Sequence, residues 1–194
     1  MRLDVIPRED MSARQSELAD RIIAKRGKIG GPFKVWLHSP ELCDRVEALG
    51  AFVRFDCSMP ERIREYALLV ASRNFDAQFS WNSHIDKAIE TGVPAEAVAA
   101  LANNERPDFG DDVELQTFHD FAVELLTEHF VSDETFARLK AVFTDQQIVD
   151  AIGLLGNFTL LSMCLNTFQV DLQEGRRPPF PDVLGYAKVA PATA

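Results

Sequence analysis

A chain of 194 residues, 46% hydrophobic and with 14 phenylalanines, can bury a core of its own and needs no second domain. Its net charge of -10 makes nucleic acid an unsuitable partner. That charge is concentrated: between positions 96 and 135 eleven Asp and Glu stand against Arg106 alone, and the remainder is formally neutral, so this stretch reads as a solvated acidic face. No apolar run reaches the ~18 residues of a membrane-spanning helix. The first 27 positions lack a signal-peptide pattern. Cys43, Cys57 and Cys164 are odd in number and form no C-x-x-C pair, which argues for buried thiols and against a zinc site or disulfide framework. The expectation is a cytoplasmic protein with one domain spanning 1-194, bound to neither membrane nor metal.

Taken in chain order, the signals are helical. Ser12-x-x-Gln15 predicts a capped helix running to about Arg26, where Gly27, Gly30 and Gly31 break it. GKIGG matches neither a P-loop nor a dinucleotide fingerprint and reads as an entrance segment leading into Pro32 to Leu37. Ser39-Pro40 opens a helix to about Phe55, and Ser58-x-x-Glu61 predicts a capping box for the next. Asp76 is the expected cap of a helix ended by Gly92 and Pro94. A short helix from about Pro94 to Leu101 follows, then a polar loop from Pro107 to Asp112 and a helix over 113-130. Ser132 and Thr144, the latter with Gln147, start two more. Ile148 to Leu165 is apolar but interrupted by Asp150, Asn157, Thr159 and Ser162, which predicts a helix buried in protein. The segment 176-194 contains RRPPFPD and a small-residue end, and is expected to lack regular structure. No alternating strand pattern occurs. The fold class is therefore all-α, a bundle of about seven or eight helices.

The stretch ERIREYALLVASRNFDAQFSWNSH, from Glu61 to His84, carries the candidate chemistry. Helical spacing puts Glu65 with Leu68, Leu69 and Ser72 on one face, and Ala77, Ser80, Trp81, His84 and Ala88 on another. If the two faces oppose each other, a buried carboxylate finds the partner it needs in a histidine, the side chain best suited to proton exchange near neutral pH. Arg64 or Arg73 could instead hold Glu65 in a structural ion pair. Ser80, at i, i+4 from His84, invites comparison with a Ser-His nucleophile, but one helix supplies neither an oxyanion hole nor a third orienting group. His38 is expected near the entrance beside Trp36, and His119 and His129 on the acidic helix as surface or packing residues. No histidine pair has metal-ligand spacing.

Glu65, Trp81 and His84, together with GGPFKVWLHSPEL at 30-42, AIETGVP at 88-94 and LNTFQVDLQEG at 165-175, resemble the carboxymuconolactone decarboxylase family, which shares its fold with AhpD-type alkylhydroperoxidases. The resemblance covers roughly residues 30 to 175 and implies an AhpD-like helical bundle. In the redox branch two cysteines precede the histidine; the corresponding positions here hold Ala77 and Ser80. In the decarboxylase branch an acidic residue precedes Trp and His; here Trp81 and His84 match and Ser80 stands in the acidic position. The resemblance thus implies a cofactor-independent lyase or isomerase acting on a small unsaturated carboxylated lactone or related acid. His84 and Glu65 would be its catalytic pair, with Trp81, Ser80 and Arg73 binding substrate. A thiol peroxidase is disfavoured by the missing cysteines, and a non-catalytic oligomer is the remaining alternative. The apolar circumference of the final helix predicts a homo-oligomer, a dimer at least, and the resemblance implies a trimer or hexamer.

Overall fold

The computed structural model describes residues 1-181, which include nine α-helices and no strand. The expected architecture is present, and the helix beyond the expected eight is the four-residue α2. Helix α1 (Ala13–Arg26) begins with the reciprocal Ser12 and Gln15 capping box and ends at Gly27, whose φ of 78° only glycine adopts without strain. Then come α2 (Phe33–Trp36) and α3 (Pro40–Ala51), the latter running directly into a π-helical turn over Phe52–Asp56. The central helix α4 (Glu61–Asn74) is buried at every position from Glu65 to Ser72 and packs against α5 (Gln78–Glu90), α6 (Ala95–Ala102), α7 (Val113–Glu128) and α9 (Asp145–Phe168). Helix α8 (Asp133–Val142) joins α7 to α9 and starts on the Ser132 hydroxyl, which accepts from the Thr135 amide. The Thr144 and Gln147 capping box starts α9 as expected.

Two expected caps are used otherwise. Ser58 does not cap α4; its amide and hydroxyl both donate to Asp150 of α9, at 2.8 and 2.6 Å, and Pro60 opens the helix instead. A long-range carboxylate thus takes the hydroxyl that a local box would have used. Asp76 does not cap α5 either. It sits at φ 50°, accepts from Arg73, and leaves Ala77 as the residue preceding the helix. The α7 start falls at Val113 as expected, and its cap, not named from sequence, is Asp112, which accepts from the Leu115 amide at 3.0 Å and is clamped by Arg62.

Two apolar clusters form the interior. The larger gathers α4, α7 and their neighbours around Tyr66, Leu69, Trp81, Phe118 and Leu154; the smaller joins α1, α2 and α3 to the end of α9 through Leu18, Ile22, Val35, Cys43 and Leu165. By length and composition α9 could cross a membrane, and it is the one such helix among the described residues. Its Ala151, Leu154, Leu155, Phe158, Cys164 and Leu165 are instead buried, in contact with α3, α4, α5 and α8. Its Val149, Ile152 and Met163 remain exposed. All three cysteines are buried and free, as the sequence suggests. Of the segment expected to be irregular, residues 176-181 carry no helix, and 182-194 lie outside the described residues.

Candidate functional site

The antiparallel hairpin of α4 and α5 turns the two sequence faces toward each other. His84 Nδ1 lies 2.7 Å from Glu65 Oε2, both side chains are about nine-tenths buried, and Arg64 and Arg73 are engaged elsewhere. The choice left open by the sequence is therefore settled in favour of the histidine. Burial pushes the His84 pKa down, with Arg54 and Arg26 acting in the same direction, and the contact with Glu65 only partly offsets this. Burial raises the Glu65 carboxyl, but the hydrogen bond and charge of His84, with Arg54 and Lys87 behind them, bring it below the ordinary range. Both directions describe one state near neutral pH: an ionised Glu65 accepting Nδ1–H from a neutral imidazole. That tautomer leaves a lone pair on Nε2, which makes no hydrogen bond among the described residues.

His84 lines a cavity of about 680 Å³ where the two apolar clusters meet. Leu68, Phe158, Trp36, Val46 and Leu165 line it, as does the Gly30–Gly31 segment. Gly31 is required there: its φ is 53°, and a Cβ would come within 2.8 Å of the Phe79 ring, which also lines the cavity. His38 does not line the cavity; it is exposed, and its Nε2 contacts the Asp4 carbonyl at 2.9 Å.

The other expected site residues divide. Ser80, almost fully buried, lines the cavity one turn before His84. Trp81 is completely buried and is not part of the cavity lining; its ring meets Phe180 edge-on at 5.6 Å. Arg73 lies outside this cavity altogether. It donates to the Ala102 carbonyl at 2.9 Å and to Asp76, stacks over Phe180, and borders a separate pocket of about 290 Å³ beside His119. The cationic residues on the cavity itself are Lys25, Arg26, Lys28, Lys34 and Arg54. Sequence reading missed Arg26 and Arg54 because they sit on α1 and on the π turn, remote along the chain from the pair they face. Asn157, one of four polar residues noted on the last helix, is the one that faces the cavity. It is 2% exposed, and neither its Oδ1 nor its Nδ2 has a partner.

The remaining buried histidine belongs to the core. His119 Nδ1 lies 2.8 Å from the Tyr66 hydroxyl, and burial, reinforced by Arg106, lowers its pKa to about 4. No group of three or more His, Cys, Asp or Glu able to hold a metal occurs among the described residues.

No family model matches the sequence, and no curated protein matches it significantly. Solved structures do resemble it. An uncharacterized peroxidase-related protein from Ralstonia eutropha JMP134, described as an alkylhydroperoxidase AhpD core, aligns with a TM-score of 0.73 at 18% identity, covering 89% of this chain and 92% of that one. A peroxidase-related protein from Silicibacter sp. TM1040 gives 0.71 at 17% identity over 87% and 90%. A cysteine-to-alanine variant of the debrominase Bmp8, in complex with 2,3,4-tribromopyrrole, gives 0.66 at 17% identity over 92% and 95%. At these identities the likeness speaks to architecture, and the chain has the AhpD-like helical fold.

Proposed function

We propose that this chain is a cofactor-independent acid-base enzyme of the carboxymuconolactone decarboxylase type, a lyase or isomerase acting on a small unsaturated carboxylated lactone or related acid. The observation that carries this reading is the buried Glu65 carboxylate 2.7 Å from His84 Nδ1, which fixes a neutral imidazole whose other nitrogen is left to the cavity. Such an imidazole takes a proton from a ligand carbon at Nε2, becomes an imidazolium stabilised by Glu65, and returns the proton to a second carbon; no net proton is consumed. For loss of carbon dioxide, Nε2 first takes a proton from solvent, the carbon–carbon electron pair passes into the conjugated system, and the imidazolium delivers the proton that replaces the carboxylate, so one proton is consumed for each carbon dioxide released. Leu68 and Phe158 give the carbanion an apolar wall beside His84.

Thiol-based peroxide reduction is the weaker reading. Ala77 and Ser80 occupy the expected cysteine positions, and burial pushes the thiols of Cys43 and Cys164 up to about 11, which keeps them protonated at neutral pH.

The test is a screen of small unsaturated lactones and keto acids, followed by His84→Gln and Glu65→Gln on any substrate found. His84→Gln should lose on the order of 10²- to 10⁴-fold in rate. Glu65→Gln should lose less, because the imidazole that moves the proton is still present. Full turnover in a folded His84→Gln protein overturns the reading.

A further inference from the structure

We propose that Arg26 and Arg54 form a carboxylate-binding subsite that, with Asn157 opposite a polar atom of the ligand, holds a small organic acid against His84; this rests on the acid-base reading above. The chain is strongly acidic overall, yet five cationic side chains line this cavity against Asp171 and Glu174. Asp171 is already held by the Met1 amine at 3.2 Å. Glu47, whose charge acts on Arg26, is shared by Lys25 at 3.3 Å and Arg21 at 3.9 Å. Neither Arg26 nor Arg54 has an ion-pair partner among the described residues, and Arg26 Nε is buried without a hydrogen bond.

The two guanidiniums are also presented for such a ligand. Arg26 stacks on the Phe33 ring at 4.8 Å and Arg54 on Phe55 at 5.3 Å. Stacking fixes the plane of a guanidinium and leaves its N–H edge for a carboxylate, which it meets with two parallel hydrogen bonds. Half-buried like charges that repel each other and face an imidazole are unfavourable alone; an anion between them relieves both. Asn157 adds a buried amide with unmet donors and an unmet acceptor, an arrangement that discriminates strongly for a ligand able to satisfy it.

A carboxylate here also alters the proton chemistry. Arg54 and Arg26 both depress His84, so an anion that neutralises them makes the imidazole more basic when it is needed. The titratable and charged groups that bear on His84 are Glu65 on α4, Arg26 on α1, Arg54 on the π turn and, through Glu65, Lys87 on α5.

The experiment is a titration of the full chain, ring-labelled at histidine, with maleate at constant ionic strength, reading the His84 resonances by NMR; His84→Gln assigns them. Maleate should shift His84 saturably and raise the pH at which it titrates. Arg26→Gln and Arg54→Gln should each weaken binding at least tenfold, Arg26→Lys and Arg54→Lys should bind better than the Gln variants, and Lys140→Gln on α8 should match wild type. The uncharged maleamide should not bind wild type, a result that does not depend on any variant folding. Equal binding of maleamide, unchanged affinity in the Gln variants, an unmoved His84 titration, or tighter binding of inorganic phosphate would each overturn the assignment. A folded His84→Gln that kept full turnover while Arg-dependent maleate binding persisted would instead refute the acid-base reading and leave the subsite standing.

Discussion

Replacing His119 with Gln should remove much of the protein's sensitivity to mild acid. The imidazole is 5% exposed and hydrogen-bonded with the Tyr66 hydroxyl, and its pKa falls from an ordinary 6.5 to about 4 because of burial and the Arg106 charge. The unfolded chain therefore binds this proton more readily than the folded one. Stability is complete above pH 6.5 and is lost as pH falls from 6.5 toward 4. With ~1.4 kcal/mol per pKa unit, the folded state should lose about 2 kcal/mol from this group between neutrality and about pH 5. His84, also depressed, adds to the loss in the same sense, so the informative quantity is the difference between two proteins. Gln keeps an acceptor for Tyr66 but cannot take up the proton. Urea unfolding of wild type and His119→Gln at pH 7.5 and pH 5 should show wild type losing about 2 kcal/mol more than the variant. Parallel losses in the two proteins would refute the reasoning and place the acid-sensitive proton elsewhere.

Gly31→Ala should destabilise by roughly 1 to 2 kcal/mol, since it adds left-handed backbone strain to a clash with the Phe79 ring, and should lower the melting temperature by about 2 to 8 °C; an unchanged melt would mean that the Gly30–Gly31 segment gives way freely. We also infer a homo-oligomer from the exposed Val149, Ile152 and Met163 on α9. Light scattering at micromolar concentration should give at least twice 21.7 kDa, and a monomer mass would remove that inference.

The helical architecture was largely legible because it is written locally. Periodicity, glycine stops and the caps at Ser12, Ser132 and Thr144 depend on residues within one turn of each other, and all three caps are formed. The Glu65 and His84 pair was legible for a related reason: the short turn between α4 and α5 leaves little freedom in how the two faces meet. What failed depends on distance along the chain. Ser58 was read as a local cap, but its hydroxyl is claimed by Asp150, 92 positions away. Arg73 was expected to bind substrate, yet it is held by the Ala102 carbonyl and stacks over Phe180, away from the cavity. Arg26 precedes the stretch that resembles a known family, and no periodicity connects it to α5.

The placement of the cavity between two separately packed clusters has a consequence for how this protein can diversify. The proton-handling pair belongs to α4 and α5, whereas Arg26 reaches the cavity from α1, within the smaller cluster, and Arg54 from the π turn, whose Val53 packs into the larger one. Substitutions at the two arginines can therefore redraw which molecules are accepted without repacking the hairpin that performs the chemistry, but because both act on His84, and Arg54 on Glu65 as well, their effects should combine non-additively with changes at the pair.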